Sequence, residues 1–164
     1  MEIRAIRPDE HAEVAALTVA AYQATHDDLP ASYLAELADV SARAAQAEVL
    51  VAVEGGQLLG GLTYVGDVAN PLAEHTVAHA ATIRMLAVDP AAVRRGAGRA
   101  LTEECVARAA SEGKEAVVLH TVDTNEGGLA FYEALGFERV PELDWEPAPG
   151  VRLVGLRLEV AFAG

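Results

Sequence analysis

The chain has 164 residues, 52% hydrophobic and 23% charged, which suits one packed domain and excludes a disordered or disulfide-stapled chain. Its 25 acids against 12 bases give a formal net charge of −13. Such a surface repels nucleic acid and anionic membranes and attracts cationic small molecules, although solubility alone also explains the charge.

Glu2 to Arg7 alternates with period two and predicts a strand; its charges and Pro8 interrupt the N-terminus before any secretory-type apolar run can form. Asp9 is placed to cap a helix in which Val14, Leu17, Ala21 and Tyr22 recur at helical spacing. Leu34, Leu37 and Val40, with Ala44 beyond, give a second helical stripe. Glu48 to Glu54 predicts a strand that Gly55-Gly56 turns back into another over Gln57 to Val65. Gly60 and Gly61 inside that second strand mark a bulge or a close backbone approach. Gly66 to Ala78 reads as a loop broken at Asn70-Pro71, and Thr82 to Val88 as a strand stopped by Asp89-Pro90.

Gly98 to Glu112 carries Leu101, Cys105 and Ala109 at four-residue steps, a helix closed by Gly113. Ala116 to Val122 is an apolar buried strand, and Glu126 to Leu135 a helix closed by Gly136. Val151 to Val160 alternates as a final strand, after a connector at Pro141 to Gly150 whose Trp145 is expected to pack under that strand. No segment is long and apolar enough to span a bilayer, and the one cysteine, Cys105, cannot form an internal disulfide; both fit a cytoplasmic protein. The element order predicts a single mixed α/β domain over residues 1–164 with a central sheet.

Arg94-Arg95-Gly96-Ala97-Gly98-Arg99 lies between a strand and a helix. Its glycines allow close backbone approach and positive φ, and the helix start adds unpaired N–H groups and a positive dipole end. With three arginines in an acidic chain, this predicts a phosphate or pyrophosphate site. A plain turn with solvated arginines is the competing reading. A dinucleotide fingerprint fits poorly, because Asp89 to Val93 intervene and Leu101 stands where a third glycine belongs; no Gly-Lys-Ser/Thr follows to make a P-loop.

Asn125-Glu126-Gly127-Gly128-Leu129-Ala130-Phe131-Tyr132-Glu133-Ala134-Leu135-Gly136-Phe137 forms a second candidate segment. Asn125 is placed to cap the helix, and Tyr132 lies two turns further along; taken alone, Tyr132 reads first as core packing with its hydroxyl at the surface.

In these two segments the chain resembles the GNAT superfamily of N-acetyltransferases. Met85-Leu86-Ala87-Val88 through Leu101 is similar to that family's acetyl-CoA motif, and Asn125 through Phe137 to its Asn…Ala-x-Tyr-x-x-x-Gly-Phe motif. The opening Ile3-Arg4-Ala5-Ile6-Arg7-Pro8 is also similar to family starts. Two positions depart from the pattern. Val93 stands where Gln or Arg is usual, and Thr82 where many members keep a basic Glu.

The resemblance implies the acyl-CoA N-acyltransferase fold, a central mixed sheet flanked by helices, and acetyl-CoA as cosubstrate for direct transfer to a primary amine in a ternary complex. It implies that amides from Arg95 to Ala100, around Gly96, Ala97, Gly98 and Arg99 and supported by Arg94, hold the pyrophosphate. The backbone of Leu86 and Val88 would pair with the pantetheine arm as an added strand, with an N–H near Leu86 or Ala87 polarising the thioester. Asn125 would contact the cofactor or hold the loop that does. Tyr132 would protonate the departing thiolate, a phenol of pKa ~10 being well matched to it.

With Thr82 unable to act as a base, His79, His120 and Glu74 are the candidates for taking the ammonium proton; His79 leads among the side chains, His120 reads more simply as a satisfied core histidine, and a water chain without a dedicated side chain ranks ahead of all of them. Tyr22, Tyr33, Tyr64 and His26-Asp27-Asp28 are candidates for the acceptor pocket. His75, His79 and Glu74 lack a third ligand at metal spacing, so no metal is expected. The partners expected are a small-molecule or peptide amine, without nucleic acid or membrane, and a homodimer through the C-terminal strand follows only from family habit. A non-catalytic acyl-CoA sensor on the same fold and a nucleotide-binding protein using the arginine loop are the alternatives.

Overall fold

The computed structural model describes residues 1–160. Packing divides the described residues into two compact units: residues 1–65 with 83–105, and residues 66–82 with 106–160. Strand and helix alternate and strands run in both directions, the mixed α/β class that the sequence predicts.

In the first unit, β1 (Glu2–Ala5), β2 (Glu48–Glu54) and β3 (Gln57–Val65) pair antiparallel in that order, and the later part of β4 (Ala80–Val88) follows β3 in the sheet. Helix α1 (His11–Thr25) lays Val14 and Leu17 on Val49, Val51 and Leu58, joined by Val40 and Ala87 in one apolar cluster. Asp9 does not cap α1. It sits in a 3-10 turn over Pro8–Glu10, and the Glu10 carboxylate takes the local donors instead, from the Arg7 amide at 2.8 Å and the Arg4 guanidinium at 2.7 and 2.8 Å.

The second helical stripe is two helices, α2 (Ala31–Ala38) and α3 (Val40–Gln46). Asp39 adopts a non-helical ψ of 62° and accepts the Ala42 amide, which ends one helix and caps the next. Arg43, 6% exposed, donates to the carbonyls of Glu36 and Leu37 at 2.7 and 2.9 Å and so caps the end of α2. Burial, and then the neighbouring Arg84 guanidinium, push its pKa down.

In the second unit the sheet is mixed. The start of β4 runs parallel to β5 (Ala116–Val122), with Ala80, Ala81 and Thr82 opposite Ala116, Val117 and Val118. Strand β8 (Val151–Glu159) pairs antiparallel with all seven residues of β5. Ala116 to Leu119 are each at most 1% exposed, which explains the unbroken apolar run in β5. Helix α4 (Ala97–Ser111) passes from the first unit into the second, and α5 (Glu126–Ala134) belongs to the second.

The connector after Phe137 contains two short strands that the sequence analysis did not predict, β6 (Glu138–Arg139) and β7 (Trp145–Ala148), both paired with β8. Pro147 hides β7, because proline demotes a strand reading; here it falls within a register shift between Trp145 and Ala148. Trp145 is 42% exposed on β7 and does not pack under the last strand. The far side of β8 is occupied by β6 at Leu156 and Arg157 and by β7 at Val151 and Leu153. No helix among the described residues is long and apolar enough to cross a membrane.

Candidate active site

The Arg/Gly loop is built in the first unit from the end of β4. Asp89 accepts the Ala91 amide at 2.9 Å and caps a 3-10 turn over Pro90–Ala92; Val93 then runs extended, with 53% of its surface exposed. Arg94 (φ 69°) and Gly96 (φ 86°) are both left-handed, and α4 begins at Ala97. A Cβ on Gly96 would meet nothing within 4 Å, so glycine serves the backbone conformation there and not a contact.

The Ala100 amide closes the first helical turn on the Gly96 carbonyl at 3.0 Å. That amide is thus unavailable to an anion, and the group expected from sequence narrows at its C-terminal end. Ala97, Gly98 and Arg99 occupy the first helical positions, whose amides have no partner inside a helix. Arg95 pairs with Glu54 at 2.9 Å and Arg99 with Glu103 at 2.6 Å, whereas Arg94 enters neither pair and is exposed. The helix-start amides and Arg94 fit a pyrophosphate; Arg95 would have to exchange its carboxylate for one.

Upstream, Met85 has φ 53° in the middle of β4. A non-glycine residue in that region carries strain and re-aims the residues after it. Those are Leu86, Ala87 and Val88, with Leu86 and Val88 half-buried and Ala87 3% exposed. A Cβ on Gly60 of β3 would stand 2.6 Å from the Ala87 carbonyl oxygen and 3.3 Å from Val88 Cα. Gly60 is thus the close approach that its sequence position suggested. Gly61 is the second, against the Leu50 carbonyl at 3.2 Å.

Tyr22 stacks on His26 with centroids 5.9 Å apart and meets Tyr33 edge-on at 6.2 Å, so three of the suggested acceptor-pocket residues come together in this unit. Tyr64 does not join them; it is 2% exposed in the core.

In the second unit, Asn125 caps α5. Its side-chain oxygen accepts the Gly128 amide at 3.1 Å, and its nitrogen donates to Thr121 Oγ1 at 3.0 Å. Tyr132 is 9% exposed, with its ring edge-on to Phe131 at 5.1 Å and Phe137 at 5.6 Å. The Asn-to-Phe segment therefore packs Tyr132 between Phe131 and Phe137 on a helix whose start Asn125 caps.

A histidine pair appears in this unit that spacing alone did not reveal. His75 Nδ1 accepts the Val77 amide at 3.0 Å, so the hydrogen of the neutral ring sits on Nε2, which donates to Thr82 Oγ1 at 2.5 Å. Burial, and then His120, hold the His75 pKa down at about 4. His120 donates from Nε2 to the Leu143 carbonyl at 2.8 Å. His79 lies outside this arrangement. It is exposed and left-handed (φ 60°), and among the described residues its carbonyl, not its ring, is engaged, by the Glu115 amide at 2.8 Å.

The family model described as Acetyltransferase (GNAT) family matches residues 11–137. Three solved structures illustrate the likeness. A GCN5-related N-acetyltransferase from Kribbella flavida is 25% identical, with a TM-score of 0.68 over 96% of each chain. A protein from Salmonella typhimurium, solved with its cofactor acetyl-CoA, is 19% identical, with a TM-score of 0.67 over 100% of this chain and 96% of its own. An aminoglycoside 6'-N-acetyltransferase complexed with coenzyme A is 15% identical, with a TM-score of 0.74 over 100% of this chain and 99% of its own. A search of curated proteins finds no match. The matched span contains the left-handed loop, the kinked strand and the Asn125-capped helix described above, and the chain belongs to the GNAT acetyltransferase family.

Proposed function

We propose that the chain is an N-acetyltransferase that moves the acetyl group of acetyl-CoA to a primary amine by direct attack. The observation that carries this reading is the left-handed turn at Arg94 and Gly96 that delivers the chain into the amide-bearing start of α4. An anion of pyrophosphate type is the ligand best matched to such a helix start. The amides of Ala97, Gly98 and Arg99 and the Arg94 side chain bind it. The backbone of Leu86 and Val88, set beyond the Met85 kink, pairs with the pantetheine arm, and an amide near Leu86 or Ala87 receives the developing oxyanion.

The cosubstrate supplies an activated acetyl thioester. Of the three protons on the arriving ammonium, one goes to a base, one replaces the thiolate's missing proton by way of Tyr132, and one stays on the amide nitrogen. Asn125 fixes the start of the helix that carries Tyr132. The acceptor is a cationic amine, consistent with the net charge of −13.

Coenzyme A is expected to raise the melting temperature while ATP and NAD do not, since a ligand stabilises the fold it binds. Tyr132→Phe is expected to keep that shift and lower turnover roughly ten-fold or more. Unchanged turnover in folded Tyr132→Phe would remove the tyrosine from the mechanism.

One observation favours a second reading, an acyl-CoA sensor. Thr82, at the position where many relatives keep a carboxylate, is 2% exposed and receives a hydrogen bond from His75. Coenzyme A binding without acetylation of any amine would support the sensor.

A further inference from the structure

We infer that His120 is the group that takes the proton from the arriving ammonium, and that Gly155, Asp144 and the Leu143 carbonyl form a seat that holds its ring for that task; the inference rests on the acetyl-transfer reading above.

His120 comes two residues after Val118, the last residue of the parallel ladder with β4. Period two puts His120 and Val118 on one face of the sheet, and registered neighbours in a parallel pair share a face, so Thr82 belongs to that face too. His120 is half-buried. Its Nε2 faces a carbonyl oxygen, which can only accept, so Nε2 carries the hydrogen. Its Nδ1 has no hydrogen-bond partner among the described residues. Neutral His120 therefore offers a lone pair at Nδ1 while its other nitrogen is held, the arrangement a general base requires.

The holding group is itself constructed. Gly155 lies opposite His120 in the β5–β8 register. A Cβ on Gly155 would fall on the Cβ of Leu143, so glycine there is what lets the Leu143 turn come down onto β8. The Gly155 amide donates to Asp144 Oδ1 at 2.9 Å, and its carbonyl accepts the Val140 amide at 2.9 Å. The Asp144 side chain is 4% exposed and also receives Arg139 and Arg152, each at 3.2 Å. These bonds fix the turn over Pro141–Leu143 from both ends and aim the Leu143 carbonyl at His120.

The neighbouring groups leave the task to His120. His75 has both ring nitrogens engaged, and a second proton would have to displace the Val77 amide. Thr82 is a hydroxyl that already receives the His75 hydrogen. His75 remains neutral beside His120 near neutral pH. Of the charged groups on the elements packed against the ring, the turn carries Glu142 and Asp144, and β8 carries Arg152, Arg157 and Glu159; Asp144 is countered by Arg139 and Arg152. In the step itself, one N–H bond of the ammonium breaks and its electron pair stays on the amine nitrogen. The proton bonds to His120 Nδ1, and the resulting imidazolium later passes it to water.

The test is coenzyme A thiol release from acetyl-CoA across pH 5.5–10, with amino-acid amides, short peptides and kanamycin as acceptors. His120→Gln keeps a donor toward the Leu143 carbonyl and removes the lone pair, so a purely structural histidine survives this change. We expect His120→Gln to lose about a hundred-fold or more in kcat/KM at neutral pH, the ordinary scale of general-base catalysis. The loss should shrink at high pH, where the amine deprotonates by itself, and the acidic limb should move to the amine's own pKa. Nitrogen-detected NMR of the wild-type imidazoles should show hydrogen on Nε2 of His120 with Nδ1 bare. Activity of His120→Gln within two-fold of wild type with an unmoved limb would overturn the assignment, as would hydrogen on Nδ1, or a limb that shifts in His79→Ala instead. A wild-type protein that binds acetyl-CoA and acetylates none of these amines would overturn the transfer reading, and this inference with it.

Discussion

Replacing Gly60 by alanine tests how the cofactor strand is held. The added Cβ would stand 2.6 Å from the Ala87 carbonyl oxygen, 3.3 Å from Val88 Cα and 3.4 Å from Val88 Cγ2. An unstrained carbon–oxygen contact is about 3.4 Å, so the carbonyl must retreat by roughly 0.8 Å. It belongs to the backbone of β4 and cannot rotate away. The adjacent Asp89 amide to Leu59 carbonyl bond, at 2.8 Å, resists the movement as well.

Overpacking of this kind costs about 1–3 kcal/mol. Urea unfolding of Gly60→Ala should show that loss. Because the displaced residues include Val88, whose backbone is proposed to pair with pantetheine, calorimetric titration should show coenzyme A binding weakened by about 5–10-fold, the equivalent of about 1 kcal/mol. Gly61→Ala is the control. Its Cβ would meet the Leu50 carbonyl at 3.2 Å and Val14 Cγ1 at 3.5 Å, so a shift of a few tenths of an ångström suffices and coenzyme A affinity should hold. Equal affinity in Gly60→Ala and wild type, with the expected stability loss present, would refute a cofactor role for Leu86 to Val88.

Two further predictions concern the second unit. Gly155→Ala should displace the Leu143 turn, lower stability by about 1–3 kcal/mol, and shift the His120 imidazole signals in NMR more than those of His11 or His26, which an unperturbed seat would not do. His75 should make stability pH-dependent. Its folded pKa, about 4, lies below the unfolded value of about 6.5, so the unfolded chain takes the proton first as pH falls. The contribution is whole above about pH 6.5, is lost between there and about 4, and amounts to about 1–2 kcal/mol once discounted for a half-buried ring. Urea midpoints should fall more steeply over that window in wild type than in His75→Gln, and parallel curves would exclude the mechanism.

What the sequence made legible depended on whether a feature has local periodicity or chemistry. The apolar run of β5, the four-residue steps of α4 and the glycine pair at 55–56 all fell where they were expected. The break at Asp39 did not, because Leu37, Val40 and Ala44 keep one helical phase across it and nothing in their spacing marks the interruption. Strand β7 was concealed by Pro147. The Met85 kink has no local signal, since left-handed backbone is normally announced by glycine or asparagine.

At the site, the Arg/Gly loop and the Asn125 cap were readable because each needs particular residues in sequence. The His75–Thr82 bond could have been suspected from a histidine seven residues before a threonine that stands in a carboxylate's place, but only the loop's path joins them. The seat around His120 was not readable, for it is made by a backbone carbonyl and by the absence of a side chain at Gly155, 35 positions further along the chain.

Acetyl transfer itself is tested most directly by incubating the wild-type protein with acetyl-CoA and the amine panel, measuring thiol release and the mass of the acceptor in the same samples. Amine-dependent thiol release, with one acetyl group gained by the acceptor for each thiol freed, is the predicted result. Coenzyme A bound and retained with every acceptor unmodified would contradict it.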